Sequence, residues 1–520
     1  MNFNQIKDVE KELWSAADEL RVNSKLTAAE YKDPVLGLIL LRFAENRFDE
    51  TLKKIEKDIS VNPRTKKKEI TKDHFIGSGS LYLSKESRYE YLVNLPESKD
   101  ISEAVNNAMR LIENDHPDLS GILPKNYQDF GGDLLRSLIR IFNKESIKTI
   151  PGDVFGRIYE YFLMKFSMSG AGAQEGGEFF TPPSLVQLIV NFIEPDQGIV
   201  YDPACGSGGM FIQTAHFIKD NKKKSINESI SVYGTELKTN NTKLAKMNLA
   251  IHGLEGKIIE SNSFYSDPHK LISKCDFVMA NPPFNVNKVD KKKDYVKNDP
   301  RLIFGLPKND NANYLWIQYF YTYLNEKGKA GFVMASSATD AGGSEKLIRK
   351  KLIETGNIEA IVSIGNNFFY TRSLPCHVWF FNKNKSNNNK NNILMIDARN
   401  TFRKVTQTIC DFSQDQLEGL TTIIKSYRGE KINFKKNEWL INNFPNCKYE
   451  NIEGLCKIAT KDEIIENDYS LTPGRYVGFT IRVDENFDYK SRILEAQKEL
   501  LKINKDSDEI MNKILKLKLW

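Results

Sequence analysis

The sequence predicts an α/β protein with a doubly wound, mainly parallel sheet, preceded by a helical domain and followed by a helical tail. Short β-branched runs alternate with helical patterns between residues 151 and 385, which is typical of strands buried between two layers of helices. Residues 1–150 read as helical, and residues 488–520 are charged with a helical apolar stripe. At 520 residues the chain exceeds the roughly 100–200 residues of one domain, so we expect several.

The composition excludes several classes of protein. With 40% hydrophobic and 27% charged residues, the chain resembles a soluble globular protein. No apolar run approaches the roughly 18 residues of a membrane helix and the N-terminus has no signal-peptide core, so we expect a cytoplasmic location and no membrane partner. The six cysteines form no CxxC pair and no histidine stands beside them at zinc-ligand spacing, so we expect neither a metal nor disulfides.

The first 150 residues are predicted to form a helical domain that packs on or clamps another structure, which the sequence does not identify. The spacing predicts one helix from Asp33 to Leu52, capped by Asp33 with Pro34 in its first turn, and another from Gly132 to Asn143. No pattern of catalytic residues stands out in this region.

Six strands and one clear helix are predicted in residues 151–385. The helix runs from Ser344 to Leu352, with Ser344 as its cap and Gly356 ending it. The strands are expected at residues 199–203, 230–236, 275–283, 329–335, 358–364 and 376–383.

The C-terminal part divides into a mixed region at residues 386–487 and the tail at residues 488–520. The polar stretch at residues 382–392 is expected to be a surface loop or linker. The apolar stripe of the tail either packs on its own protein or docks against a helix of a partner subunit; it comprises Ile493, Leu500, Leu501, Ile510, Ile514 and Leu517.

A glycine-rich turn, DPACGSGG at residues 202–209, follows the first predicted strand and opens a helix near Met210. Glycines there let a ligand approach the backbone, at the sheet edge where α/β proteins bind nucleotides. No lysine follows as in a P-loop, so we expect no bound triphosphate. Cys205 has no evident histidine partner and is interpreted as a small loop residue rather than a nucleophile.

Glu236 ends the second strand, a position from which a carboxylate can accept hydrogen bonds from two ribose hydroxyls. The alternative is an ordinary exposed glutamate.

The tetrapeptide Asn281, Pro282, Pro283 and Phe284 follows the strand CDFVMA. Two prolines have a fixed φ and no N–H, so their carbonyls and the Asn281 amide oxygen form a stiff array of acceptors. Such an array suits a planar amino group whose nitrogen attacks an electrophilic methyl, and no strong base is then needed. Phe284 offers a face for stacking a base, which must be flipped out of a duplex to reach it. The alternative is a rigid loop terminator.

These motifs, together with EFFTPP at residues 178–183, resemble the amino-methyltransferases, specifically the modification subunits of type I restriction-modification systems. The order EFFTPP, DPACGSGG, NPPF is that of the γ class of DNA amino-methyltransferases. The resemblance implies a Rossmann-like S-adenosylmethionine-dependent core that methylates adenine N6 in double-stranded DNA at specific sites.

The resemblance also implies roles for individual residues. Asn262 stands where relatives usually carry an aspartate that contacts the cofactor adenine. Phe368, Phe369 and Tyr370 resemble a later aromatic motif that offers a second face to the flipped base, although an aromatic core cluster is the alternative. The implied cofactor-binding residues are Glu178, Phe179, Phe180, Thr181, Pro182, Pro183, Asp202, Ser207, Gly208, Gly209, Glu236 and Asn262.

The implied partners are DNA, a specificity subunit, a second copy of the chain and, in the full complex, a restriction subunit that hydrolyses ATP. The lysine-rich stretch from Lys288 to Lys297 either contacts phosphates or is a solvated loop. The amphipathic tail is the candidate for docking on the specificity subunit.

Three other functions stay open. A stand-alone DNA methyltransferase would carry its own recognition region within residues 393–520. The same acceptors also serve enzymes that methylate protein glutamine or RNA amino groups, although those usually lack the TPP motif upstream. A non-enzymatic scaffold would leave this set of residues unexplained.

Overall fold

The computed structural model describes most of the chain. The described residues are 3–59, 70–78, 80–148, 150, 152–168, 181–222, 226–308, 310–369, 373–407, 409–478 and 488–516. Among the predicted site residues, Glu178, Phe179, Phe180 and Tyr370 lie outside them. The described chain divides into two compact units, residues 1–477 and residues 478–520. No helix in the described segments is both long and apolar enough to cross a membrane.

The N-terminal region is helical, as predicted. Its helices are α1 (Phe3–Val22), α2 (Ala28–Asp58), α3 (Lys72–Gly77), α4 (Tyr89–Val93), α5 (Ile101–Asp115), α6 (Gly132–Ile141) and α7 (Glu145–Lys148). Buried residues of these helices form one core with residues of α8 (Gly152–Met168) and α12 (Thr239–His252). The helical region is thus packed onto the part of the chain that carries the glycine-rich turn.

The start of α2 differs from the prediction. Thr27, rather than Asp33, is the cap, and its side chain forms a reciprocal capping box with Glu30. Pro34 therefore lies inside the helix rather than in its first turn. The capping box extends the helix upstream of the proline, a signal that the spacing of apolar residues does not show.

The centre of the protein is a nine-stranded sheet in the order β11-β8-β6-β7-β5-β4-β1-β2-β3. Its strands are β1 (Gly198–Asp202), β2 (Ile230–Glu236), β3 (Gly256–Glu260), β4 (Cys275–Ala280), β5 (Leu324–Ala335), β6 (Ile358–Ile364), β7 (Cys376–Asn382), β8 (Asn392–Asp397) and β11 (Cys456–Thr460). Two short strands, β9 (Arg403–Lys404) and β10 (Cys410–Asp411), pair separately. All six predicted strands are present, and the third ends at Ala280 because Pro282 and Pro283 cannot donate to a ladder.

Two strands depart from the parallel arrangement. β7 runs antiparallel to both β5 and β6, and β11 runs antiparallel to β8 at the edge of the sheet. β8 and β11 also show that residues 386–487, predicted as a separate mixed region, contribute to the same sheet. The low-complexity stretch before β8 has the composition of a linker, so the sequence predicted a domain boundary where the sheet continues.

Helices cover both faces of the sheet, so the doubly wound architecture is confirmed. Residues of α9 (Pro183–Ile193), α10 (Gly209–Lys222), α12 and α16 (Gln414–Tyr427) pack in one core cluster. Residues of α14 (Asn313–Tyr323) and α15 (Gly343–Glu354) pack in another. α15 begins after Gly342 rather than Ser344, and Gly356 follows it at φ +71°. The remaining helices of this unit are α11 (Ile226–Ser229), α13 (Asp294–Lys297), α17 (Glu438–Asn443), α18 (Lys461–Glu466) and α19 (Gly474–Val477).

The second unit contains one long helix, α20 (Tyr489–Lys516), where the tail was predicted to be helical. Its described apolar side chains are exposed, between 50% and 70%. They comprise Ile493, Leu494, Leu500, Leu501, Ile503, Ile510 and Met511.

Candidate active site

A cavity of about 240 Å³ opens at the carboxyl ends of β1, β2 and β4, where an open α/β sheet binds its ligands. The cavity brings three separately predicted groups together: the glycine-rich turn, Glu236 and the NPPF turn. Predicted site residues that line it are Thr181, Asp202, Ser207, Gly209, Glu236, Asn262, Asn281 and Pro283.

The glycine-rich turn connects β1 to α10, as predicted. Gly206 and Gly208 adopt positive φ angles of 53° and 80°, which favour glycine. The Gly208 N–H donates to the Cys205 carbonyl at 2.8 Å, which tightens the turn, and a Cβ on Gly208 would meet Ala245 of α12 at 3.6 Å. Gly208 therefore shapes the backbone, while its neighbours Ser207 and Gly209 line the cavity.

Glu236 holds the turn from the next strand. Its Oε2 accepts a hydrogen bond from the Gly206 N–H, and its Oε1 accepts one from the Lys238 N–H, each at 2.9 Å. The side-chain amide of Asn241 also donates to Oε1, at 3.4 Å. Glu236 is therefore buried and anchored rather than an ordinary exposed glutamate, and its carboxylate faces the cavity at the same time.

Asp202 and Cys205 are both buried beside this carboxylate. Burial raises the pKa of Asp202 well above its usual value, and the nearby charge of Glu236 raises it further. Burial likewise raises the pKa of the Cys205 thiol, which keeps it protonated. The structure therefore supports Cys205 as a small loop residue, and it makes Asp202 a carboxyl that a cation in the cavity would ionise.

Asn262 lines the cavity from the loop after β3. Its Oδ1 accepts a hydrogen bond from the Phe264 N–H at 3.0 Å, and the neighbouring Ser263 hydroxyl donates to the Pro203 carbonyl at 2.6 Å. An aspartate could form the same turn with one oxygen. The asparagine thus changes the second atom of the side-chain group from an acceptor to a donor and removes the negative charge of a carboxylate.

The NPPF turn lies beside the cavity. Pro282 is buried, whereas Asn281 and Pro283 line the cavity. The Asn281 Nδ2 donates to the Thr181 hydroxyl at 2.9 Å. This bond joins two motifs that are 100 residues apart in sequence and fixes the orientation of the Asn281 amide.

The predicted aromatic residues separate into two environments. The ring of Phe284 is half-buried and meets Phe369 edge to face, with centroids 6.0 Å apart. Phe368 is fully buried, and its ring lies 4.7 Å from that of Phe412. Phe368 and Phe369 are therefore both part of the core, at 0% and 2% exposed, whereas Phe284 is only partly buried beside it.

A pair of asparagines behind the NPPF turn was not among the predicted site residues. Asn285 has a φ of 52°, its N–H donates to Asn313 Oδ1 at 2.9 Å, and the Asn313 amide donates back to Asn285 Oδ1 at 2.8 Å. Asn313 is the first residue of α14 and is buried. Only the fold brings these two residues together, so no local pattern could have found them.

The helical region also contributes to the cavity. Lys32 of α2 and Leu163 and Ser167 of α8 line it. Among the described lining residues Lys32 is the one with a basic side chain, and its Nζ lies 3.6 Å from Asp33. No chemical role had been predicted for residues 1–150.

The lysine-rich stretch after NPPF is a largely exposed loop that contains α13. Lys293 lies 4.6 Å over the ring of Tyr265, and Lys291 donates to the Asn311 carbonyl at 3.2 Å. These contacts order the loop next to the NPPF turn; contact with phosphates remains a prediction.

Two family models match the chain. "N-6 DNA Methylase" matches residues 151–485, and "HsdM N-terminal domain" matches residues 9–142. The chain is 36% identical to the type I restriction enzyme MjaIX methylase subunit of Methanocaldococcus jannaschii, over 99% of this chain and 91% of that protein. It is 33% identical to the HindI methylase subunit of Haemophilus influenzae, over 76% of this chain and 86% of that protein.

Solved structures share the fold. A type I restriction-modification system methyltransferase subunit from Streptococcus thermophilus superposes with a TM-score of 0.73 at 21% identity, covering 91% of this chain and all of that one. A modification subunit of a type I restriction enzyme from Vibrio vulnificus gives 0.54 at 17% identity, covering 89% and 93%.

Proposed function

The chain belongs to the N-6 DNA methylase family, as a methylase subunit of type I restriction enzymes, and we propose that it methylates an adenine flipped out of double-stranded DNA with S-adenosylmethionine as methyl donor. One observation carries this proposal. The NPPF turn and the glycine-rich turn line a single cavity, together with Glu236.

The residues that line the cavity fit the proposed methyl donor. S-adenosylmethionine supplies an electrophilic methyl group on a positively charged sulfonium, together with an ammonium, a carboxylate and a ribose diol. The cavity offers the carboxyls of Asp202 and Glu236, which suit the cationic groups and the diol, and the ammonium of Lys32, which suits the carboxylate. Phe264 and Trp316 add apolar wall for the adenine ring.

The acceptor array would act on the amino group of the target. Thr181 fixes the amide of Asn281, so the side-chain oxygen can accept one hydrogen of an adenine amino group. The second hydrogen would go to a backbone carbonyl of the turn, at Pro282 or at Pro283, of which Pro283 lines the cavity. Hydrogen bonding of this kind favours the tetrahedral nitrogen of the transition state. The array only accepts hydrogen bonds from the amino group and does not deprotonate it before the methyl group is transferred. No strong base is therefore required.

Phe284 would hold the flipped adenine. Its ring is half-buried and meets Phe369 edge to face, and stacking of a base on such a ring would contribute about 1–3 kcal/mol. That gain is comparable with the few kcal/mol that extrusion of a base costs.

Assembly with other subunits is proposed from α20. A row of large apolar side chains at 50% to 70% exposure on one helix is typical of a surface that a partner helix covers. A specificity subunit would supply sequence recognition, with a second copy of the chain and a restriction subunit completing the complex.

The catalytic proposal is tested with Asn281→Ala in the chain co-purified with its specificity subunit. We expect methyl transfer to DNA to fall by about 100-fold or more, because a transition-state hydrogen bond is lost, while cofactor affinity stays within about threefold. Incorporation of a labelled methyl group and calorimetric titration measure the two effects. Asn94→Ala, which changes an exposed asparagine of the helical region, is the matched control. Activity of Asn281→Ala equal to that of the control would refute the role.

The assembly proposal is tested by deleting residues 490–520. We expect the remaining chain to keep its cofactor affinity and to lose co-purification with the specificity subunit. Undiminished co-purification would place the docking surface elsewhere. Methylation by the full chain without any specificity subunit would favour the stand-alone alternative.

A further inference from the structure

Three helices bring two histidines and a glutamate together away from the cofactor cavity. Glu160 lies on α8, His216 on α10 and His252 on α12. One ligand atom from each side chain lies within 4.8 Å of the other two. The Glu160 carboxylate is 3.7 Å from His252 Nε2, and the two imidazole rings are 5.6 Å apart between centroids. This cluster takes in two of the six histidines of the chain.

His252 is held as a metal-ligating histidine is held. Its Nδ1 donates to the Asn248 carbonyl at 3.0 Å, which directs the lone pair of Nε2 toward Glu160. The side chain is 4% exposed, and Nε2 is a buried atom without a hydrogen-bond partner in the described structure. A buried nitrogen with nothing to bond is costly, and a cation would satisfy it.

Space is also preserved around the imidazole. A Cβ on Gly156 of α8 would collide with Nε2 and the ring atoms beside it. The helix therefore carries no side chain at a position where one would block the ring.

We propose that Glu160, His216 and His252 bind one divalent transition-metal ion, with zinc as the preferred ion. Two imidazoles and one carboxylate are a recurrent ligand set for zinc, and water completes the coordination. The ligand atoms lie slightly farther apart than in an occupied site, so small side-chain rotations would close them around the ion. No metal was expected from the sequence because no histidine stands beside a cysteine at zinc-ligand spacing.

The protonation states agree with this proposal. Burial lowers the pKa of His252 to about 3, so the imidazole is neutral and able to coordinate. Burial raises the pKa of Glu160 to about 7, and an ion would displace its proton. The other charges that act on the pair are Arg157 and Lys219, which are basic, and Glu10, which is acidic.

The ion would link the helical region to the cofactor turn. α8 packs against α2, while α10 and α12 follow the glycine-rich turn and Glu236. Asn248, which orients His252 through its carbonyl, also donates its side-chain amide to the Ser207 carbonyl at 3.0 Å. Zinc would therefore stabilise the framework behind the cofactor site without contacting the reaction.

The experiment uses the full chain, freed of metal with EDTA and then titrated with Zn²⁺. Metal content after dialysis, calorimetry and the shift of the melting temperature are measured for the wild type, Glu160→Gln and His216→Gln. His74→Gln, at an exposed histidine of α3, and Cys447→Ser, at the most accessible cysteine, are the controls. Melting in EDTA confirms that each variant is folded.

We expect one Zn²⁺ per wild-type chain and a melting temperature that rises with zinc. Glu160→Gln and His216→Gln should each lose at least about tenfold in affinity and most of the thermal shift, since even outer-shell changes cost about 10–100-fold. Both controls should bind as the wild type does. The proposal is overturned when the wild type retains no zinc, or when the ligand variants bind zinc as tightly as the controls.

Discussion

Replacing Glu236 by glutamine separates the two roles that the structure gives to this carboxylate. The carboxylate accepts two backbone hydrogen bonds of 2.9 Å, from Gly206 and Lys238, one on each oxygen. Glutamine keeps a single oxygen, so one of the two backbone donors would face an NH2 group instead. Hydrogen bonds to a charged group contribute about 1.5–3 kcal/mol, so we expect a stability loss of that order.

Cofactor affinity should fall in parallel. If a ribose hydroxyl loses its charged acceptor, the same 1.5–3 kcal/mol corresponds to roughly 10- to 100-fold weaker binding, because about 1.4 kcal/mol is tenfold. Calorimetric titration with S-adenosylmethionine measures this loss, and urea denaturation measures the stability term.

A ligand cycle isolates the contact with the ribose. The wild type should bind a cofactor analogue lacking the ribose hydroxyls much more weakly than the parent compound, whereas Glu236→Gln should discriminate little between the two. The matched control is Glu260→Gln, at the register partner of Glu236 on β3, because this carboxylate is exposed and accepts a hydrogen bond from the Thr239 hydroxyl. Full discrimination retained by Glu236→Gln would refute the ribose contact and leave only the structural role.

Three further perturbations test other parts of the site. Lys32→Met should weaken the binding of S-adenosylmethionine about fivefold. It should leave the binding of methylthioadenosine unaffected, because that compound lacks the amino-acid carboxylate. Lys25→Met, at an exposed lysine, is the control, and equal losses of affinity for both ligands would contradict the assignment. Asn313→Ala should lower kcat rather than cofactor affinity, because Asn285 loses the partner that holds its positive φ. Adding Asn285→Gly to this variant should restore part of the rate, since glycine adopts a positive φ without strain. A wild-type rate in Asn313→Ala would refute the coupling. In EDTA, the wild type should lose stability relative to Glu160→Gln as pH rises from 4.5 through about 7, because folding raises the pKa of Glu160 and the neutral carboxyl is the form the folded state prefers. The opposite contribution of His252, whose pKa folding lowers to about 3, is common to both proteins and cancels in the difference between their urea midpoints. A difference that does not change with pH would contradict the prediction.

Local patterns in the sequence were sufficient for six of the nine strands of the sheet and for the motifs on its edge. The apolar runs of β1, β2 and β4 are largely buried, so their positions were visible without knowledge of their neighbours. Because parallel strands present their carboxyl ends at one edge, the order of DPACGSGG, Glu236 and NPPF already predicted a shared cleft. β3 was not predicted, because two of the five residues in its sequence, GKIIE, are charged and four are exposed.

Tertiary structure decided which side chains meet across long stretches of chain. Thr181 bonds Asn281, Lys32 reaches a cavity built by residues beyond 160, and three helices assemble Glu160, His216 and His252. Propensity and periodicity report interactions within a few residues, whereas these contacts depend on how elements pack and on the strand order that places β1 between β4 and β2. The sequence by itself thus determined the chemistry available at the sheet edge, and packing determined the partners that orient it, because a hydrogen bond or a ligand set is defined by proximity in space and not along the chain.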